Sequence, residues 1–183
     1  LAADLDTRAA LNREGVVLAD YLELERDPTM AVGFDHVVLV DPPPSAELEK
    51  AAAAAARPAS YLHLAWGEAE WRFASHALAI HLPQRQALAE VFRDLRKADG
   101  PSGEKLLGAL RGKGRERRAP EAAARCLRVL GELDLVRGEP KRGDGSVEVV
   151  SSEGTTLERS AAFRAYRTRY EECHRYLERR QQP

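Results

Sequence analysis

The chain has 183 residues, 44% of them hydrophobic, enough for one large domain or two small ones with real cores. Its net charge of −1 is unevenly placed: Leu1–Pro83 carries 6 Lys/Arg against 13 Asp/Glu (−7), Gln84–Arg142 carries 15 against 9 (+6), and Gly143–Pro183 carries 7 against 7, so only the middle suits a polyanion. Two isolated cysteines, Cys126 and Cys173, exclude a disulfide scaffold and a Cys-x-x-Cys metal knuckle; without a signal peptide or an apolar run near about 18 residues, the expectation is a cytoplasmic protein with no membrane partner.

The opening Leu1-Ala-Ala-Asp-Leu-Asp-Thr7 reads like the end of a strand entering a helix, which predicts a fragment cut inside a domain. Asp6 suits the cap of a short helix through Asn12, because its carboxylate accepts from the free N–H groups of a helix start. Val16-Val17-Leu18 is a brief apolar run, and the acidic stretch Asp20 to Asp27 predicts a surface helix. Phe34–Val40 is the strongest strand signal, bounded by Gly33 and by Asp41-Pro-Pro-Pro44. A continuous apolar run between breakers predicts a strand buried on both faces, as in a parallel sheet. Ser45 then caps a helix to about Arg57, with six consecutive alanines from Ala51 as good helix formers. Tyr61–Trp66 reads as another strand, and Gly67 opens a helix with Trp71, Ala74, Ser75 and Leu78 on one face. Strand, helix, strand, helix with short connections predicts βαβ units and a parallel sheet; three strands make it thin, and the Leu1 end suggests that its missing neighbours lie upstream.

From Pro83 the texture changes. Leu88, Val91, Phe92 and Leu95 form an apolar stripe on a helix from Gln84 to Lys97, and Ala98–Gly103 is a loop of turn formers. A short helix, Glu104–Leu110, leads into the basic knot Arg111–Arg118. Pro120 opens a helix buried along Ala123, Cys126, Leu127, Leu130 and Leu133, with Glu121, Arg125, Arg128 and Glu132 as its polar face. Leu135-Val136, a turn at Lys141–Gly145 and Val147–Val150 predict a β-hairpin, and Leu157–Arg180 predicts a closing helix carrying Phe163, Tyr166, Tyr170 and Tyr176. Helix, turn, helix, hairpin is the order of a winged helix. The predicted class is α/β: a truncated parallel-sheet (Rossmann-like) domain over residues 1–82, a winged-helix domain over 83–151, and a C-terminal helix over 152–183.

No constellation for a reaction is present. Gly108-Ala-Leu-Arg-Gly-Lys-Gly114 falls one residue short of a phosphate loop, follows a helix, and has Gly114 where a hydroxyl is required. Asp41 imitates the acidic strand end of nucleotide hydrolases but has no partner loop, so a turn or capping role is expected, with a vestigial site as the rival. His36, His63, His76, His81 and His174 form no ligand set, since His76 and His81 are five apart and point to different faces of a helix. No serine has a Gly-x-Ser-x-Gly setting, and Cys126 faces a predicted core. The one signal above background is cationic. Arg111, Lys113, Arg115, Arg117 and Arg118 precede the Pro120 helix, Arg125 and Arg128 lie on its polar face, and Lys141 and Arg142 sit at the wing tip. These are places from which a winged helix meets a phosphate backbone. Glu116, Glu121, Glu132 and Glu139 share those elements, and no aromatic is interleaved to stack bases.

Three phrases carry a family resemblance: Phe34-Asp-His-Val-Val-Leu-Val-Asp-Pro-Pro-Pro44, Tyr61-Leu-His-Leu-Ala-Trp-Gly67 and Leu127-Arg-Val-Leu-Gly-Glu-Leu-Asp-Leu-Val136. Over nearly the whole chain the sequence resembles the C-terminal region of the RecJ family of bacterial exonucleases specific for single-stranded DNA. The resemblance implies a parent whose DHH-type catalytic core, requiring two Mg or Mn ions, and OB-fold precede this region. None of the family's catalytic residues carries over: Asp35-His36 lacks the second histidine and opens a strand rather than closing one. The resemblance therefore implies a non-catalytic accessory module, with no cofactor of its own, of a 5′–3′ exonuclease in DNA repair and recombination. It would hold single-stranded DNA or dock a helicase or single-strand-binding protein. On the residues alone two alternatives stay open: a stand-alone protein-interaction adaptor whose winged helix does not bind DNA, and a fragment of an unrelated enzyme.

Overall fold

A computed structural model describes residues 15–55, 60–112, 117–138 and 145–181. Their α-helices are α1 (Tyr21–Arg26), α2 (Ala46–Ala55), α3 (Glu68–His81), α4 (Arg85–Ala98), α5 (Gly103–Arg111), α6 (Pro120–Glu132) and α7 (Ala161–Gln181). The strands are β1 (His36–Leu39), β2 (Tyr61–Leu64), β3 (Val136–Arg137) and β4 (Glu148–Val149), and short 3-10 turns span Pro28–Ala31 and Leu157–Arg159. The chain is thus mixed α/β and mostly helical. It divides into two units: the described residues up to Leu78 with those from Glu172 onward, and Ala79–Glu171. The expected helix from Asp6 to Asn12 and the strand at Leu1 lie outside the described residues.

In the first unit the acidic stretch does form a helix. Asp20 caps α1 through a reciprocal box, its carboxylate accepting from the Glu23 N–H while Glu23 accepts from the Asp20 N–H, both at 2.9 Å. Ser45 takes the expected capping place before α2, its hydroxyl accepting from the Leu48 N–H at 3.3 Å. Strands β1 and β2 pair in parallel, His36 with Tyr61 through Leu39 with Leu64. Burial of β1 on both faces is corrected. Val37 and Leu39 pack with Leu24 and Ala52, whereas Val38 and Val40 are 53% and 62% exposed. The physical reason is that the described sheet has only two strands and a cover on one face. Asp41 uses its backbone carbonyl, which accepts from the Tyr21 hydroxyl. Of the stripe expected on α3, only Ala74 is buried; Trp71, Ser75 and Leu78 are half-buried. Glu49 on α2 accepts from both Tyr176 and Arg180 on α7.

The second unit is built on the apolar stripes of α4, α5 and α6. Leu88, Val91 and Leu95 meet Leu106 and Leu110 from α5 and Cys126, Val129 and Leu130 from α6, with Phe92 and Leu127 packed at the margin. Helix α6 ends in a Schellman arrangement: the Leu135 N–H reaches the Leu130 carbonyl at 3.1 Å and the Asp134 N–H reaches Gly131 at 3.0 Å. Asp134 holds the left-handed conformation this requires, with φ +56°. The turn delivers β3 against β4 in an antiparallel pair, Val136 opposite Val149 and Arg137 opposite Glu148. A single bridge, Ser102 with Ser146, ties the α4–α5 connection to the strand side of the hairpin. Gly138 leaves β3 at φ +125°, where an added Cβ would lie 2.2 Å from the Ser146 carbonyl oxygen.

Glu132, at the end of α6, closes the unit. One of its oxygens, Oε2, accepts from the Ser160 hydroxyl and from the Ala162 N–H, each at 2.8 Å. Ser160 is fully buried and in turn accepts from the Phe163 N–H at 3.0 Å, so the start of α7 is satisfied both by the serine that precedes it and by Glu132 of α6.

Candidate nucleic-acid interface

The two described ends of the α5–α6 connection meet. The Arg118 N–H donates to the Arg111 carbonyl at 2.8 Å, closing the loop that holds the basic knot. Arg111 ends α5 and Arg117 lies just before α6; both are exposed, and neither meets an acidic partner among the described residues. Arg118 is different. Its guanidinium donates to Glu90 at 2.6 Å and to the Leu110 carbonyl at 3.2 Å, pinning the loop onto α4 and α5. Lys113, Arg115, Lys141 and Arg142 lie outside the described residues.

On α6 the two arginines also divide. Arg125 is half-buried, and its Nη1 donates to the His81 carbonyl at 2.7 Å, a cation at the C-terminus of α3 where the helix dipole favours it. Arg128 stays exposed and pairs through Nε with Oε1 of Glu132 at 3.2 Å. The exposed cations that the structure sets near one another are therefore Arg111 and Arg117, on the loop closed by the Arg118–Arg111 backbone bond, with Arg128 further along α6. Sequence reasoning passed over Arg96 and Arg137. Arg96 lines an open cleft of about 580 Å³ with Leu95, Asp99, Val147 and Ser151, and Arg137 stands exposed on β3. The missed signal was an arginine on the polar side of the α4 stripe, four residues beyond Phe92.

Burial pushes the Cys126 thiol up to about 11, against the pull of Arg118, so it is a core residue rather than a nucleophile. The Ala162 N–H, the Ser160 hydroxyl and Arg128 hold the Glu132 carboxyl below the usual carboxylate range, as a capping anion should be. No group of three or more His, Cys, Asp or Glu among the described residues is placed to hold a metal ion. No described helix is long and apolar enough to cross a membrane.

The first unit holds a juxtaposition that sequence reasoning missed. The sequence gives no reason to pair His36 with His63, yet the parallel register brings His36 Nδ1 to 2.9 Å from His63 Nε2. The signal was the alternation of the two strands: His36 begins one and His63 stands two residues after the start of the other. Comparison with protein families, with characterised proteins and with solved structures gives no match for this chain.

Proposed function

We propose that Ala79–Glu171 is a winged-helix module and that the chain is the non-catalytic accessory end of a RecJ-like 5′–3′ single-stranded-DNA exonuclease, gripping the DNA strand for the catalytic part. The observation that carries this reading is the element order of the unit. Three helices on one core are followed by a two-stranded antiparallel pair, with the Ser102–Ser146 bridge joining it to the first loop. Arg111, Arg117 and Arg128 supply exposed cations at the entrance and on the face of the third of these helices. Fluorescence anisotropy with a labelled single strand tests it. About three phosphate contacts lower affinity roughly twenty-fold between about 50 and about 200 mM salt. Charge reversal at Arg111 and Arg117 should abolish the binding, and no binding at low salt overturns the reading.

A second reading, a protein-interaction adaptor that does not bind DNA, is favoured by a different observation. Arg118 and Arg125 are engaged inside the fold, which leaves fewer cations for a phosphate backbone. It predicts that R111E/R117E leaves DNA affinity unchanged while a protein partner is lost.

A further inference from the structure

We propose that His36 and His63 form a two-imidazole site for a divalent transition-metal ion of the zinc, nickel or copper class. In a parallel sheet, residues at paired positions project from the same face, and so do residues two apart along a strand. The pairs His36–Tyr61 and Val38–His63 therefore put His36, Tyr61 and His63 on one face. That face is the uncovered one, where Val38 and Tyr61 are 53% and 65% exposed. An ion reaches it from solvent without moving the backbone.

The geometry suits an ion as well as a proton. His36 Nδ1 and His63 Nε2 are 2.9 Å apart, and their ring centroids 5.1 Å apart at a tilt of 35°. With metal–nitrogen bonds of about 2.0–2.1 Å, two nitrogens stand about 2.9 Å apart at a right angle and about 3.3 Å apart at a tetrahedral angle. The separation of the two nitrogens thus already suits an ion, which sits off the line joining them, and each exposed ring turns about its side-chain bonds to aim its lone pair there. In the neutral pair one ring donates its N–H to the lone pair of the other. On loading, the donor ring takes its other tautomer, its proton passing through solvent to the outward nitrogen. Both lone pairs then point at the ion, and no net proton is released.

Two further observations favour a cation here. The Tyr61 ring stacks on His36 at 5.3 Å and 18°, and lies 6.4 Å from His63, which restrains both imidazoles before any ligand arrives. Residues Leu1–Pro83 carry 6 Lys/Arg against 13 Asp/Glu, an excess of negative charge in this part of the chain. The ligand type sets the class: imidazole suits zinc, nickel and copper, whereas magnesium, calcium and manganese prefer oxygen. Two protein ligands leave the remaining positions to water, so affinity is below that of a closed four-ligand structural site.

The experiment is a titration of the whole chain with zinc, nickel, copper and magnesium chlorides against a chromogenic chelator, with histidine ring resonances followed by NMR for zinc. The expected result is one zinc-class ion per chain, shifts confined to His36 and His63, and a loss of at least tenfold in affinity in both H36Q and H63Q. H76Q and H174Q keep the wild-type affinity. Circular dichroism superimposable on wild type shows that the variants fold, as their exposure leads one to expect. No zinc-class binding at millimolar metal, binding that survives in either H36Q or H63Q, or magnesium bound as tightly as zinc overturns the proposal.

Discussion

Arg118 and Glu90 meet across 28 residues of sequence, with Nη2 2.6 Å from Oε2. The Arg118 side chain is 14% exposed and that of Glu90 41%, so this contact lies between a surface pair and a buried one. Arg118→Ala also abandons the Leu110 carbonyl, and an expected loss of about 1–2 kcal/mol in urea unfolding follows from a charge-assisted bond in a partly wet site. R111E and R117E, exposed in the same segment, should stay within about 0.5 kcal/mol of wild type. Equal stability of R118A and R117E would refute the anchoring role given to Arg118.

Glu132 predicts a pH dependence. Its folded carboxyl titrates below the usual range because the Ala162 N–H, the Ser160 hydroxyl and Arg128 favour the anion. A depressed value means that the folded state binds the proton less readily than the unfolded chain. The stabilisation is therefore present above the ordinary carboxylate range and is lost as pH falls through and below it. Glu132→Gln should be less stable at neutral pH by about 1 kcal/mol, with the gap to wild type closing in acid. A gap that is constant with pH would contradict this.

Asp134 is an Asp where the backbone asks for glycine. It closes α6 at φ +56°, a conformation that costs an L-residue energy and glycine almost none. D134G should raise the stability of the chain by about 0.5–1 kcal/mol, measured as a higher urea midpoint at unchanged slope. A drop in midpoint would mean that the Asp134 side chain makes an offsetting contact.

Gly138 gives the opposite sign. A methyl group there would lie 2.2 Å from the Ser146 carbonyl oxygen, at a φ of +125° that side chains avoid. G138A must push the two strands apart, and a loss of about 1–3 kcal/mol is expected, with reduced hydrogen-exchange protection at Val147 and Val149.

Core and sheet face should respond differently to truncation. Leu95 and Leu130 are 0% and 2% exposed in the second core, and either one changed to Ala should cost about 2–5 kcal/mol. Val38, 53% exposed on β1, should tolerate Thr within about 0.5 kcal/mol. Thermal melts of the three variants decide the matter.

The helices were legible wherever one periodic stripe faces one core. Leu88, Val91 and Leu95 on α4, and Ala123, Cys126 and Leu130 on α6, are buried as their spacing predicts, and Pro120 opens α6. Strand burial was less so, because an apolar run such as Phe34–Val40 reports composition and says nothing about how many neighbours the strand will have. The site residues show the same limit. A run of arginines has no sign of which will reach Glu90, 28 residues back, or the His81 carbonyl, 44 residues back. The His36–His63 contact needs the register of two strands, which neither strand alone contains.

The two oxygens of Glu132 do separate jobs: Oε1 faces Arg128, while Oε2 serves Ser160 and Ala162. Taking the guanidinium away, as in R128A, would leave both Oε2 hydrogen bonds at the start of α7 in place. One side chain thus carries a surface ion pair and an inner helix cap at once, without the two competing for the same atom.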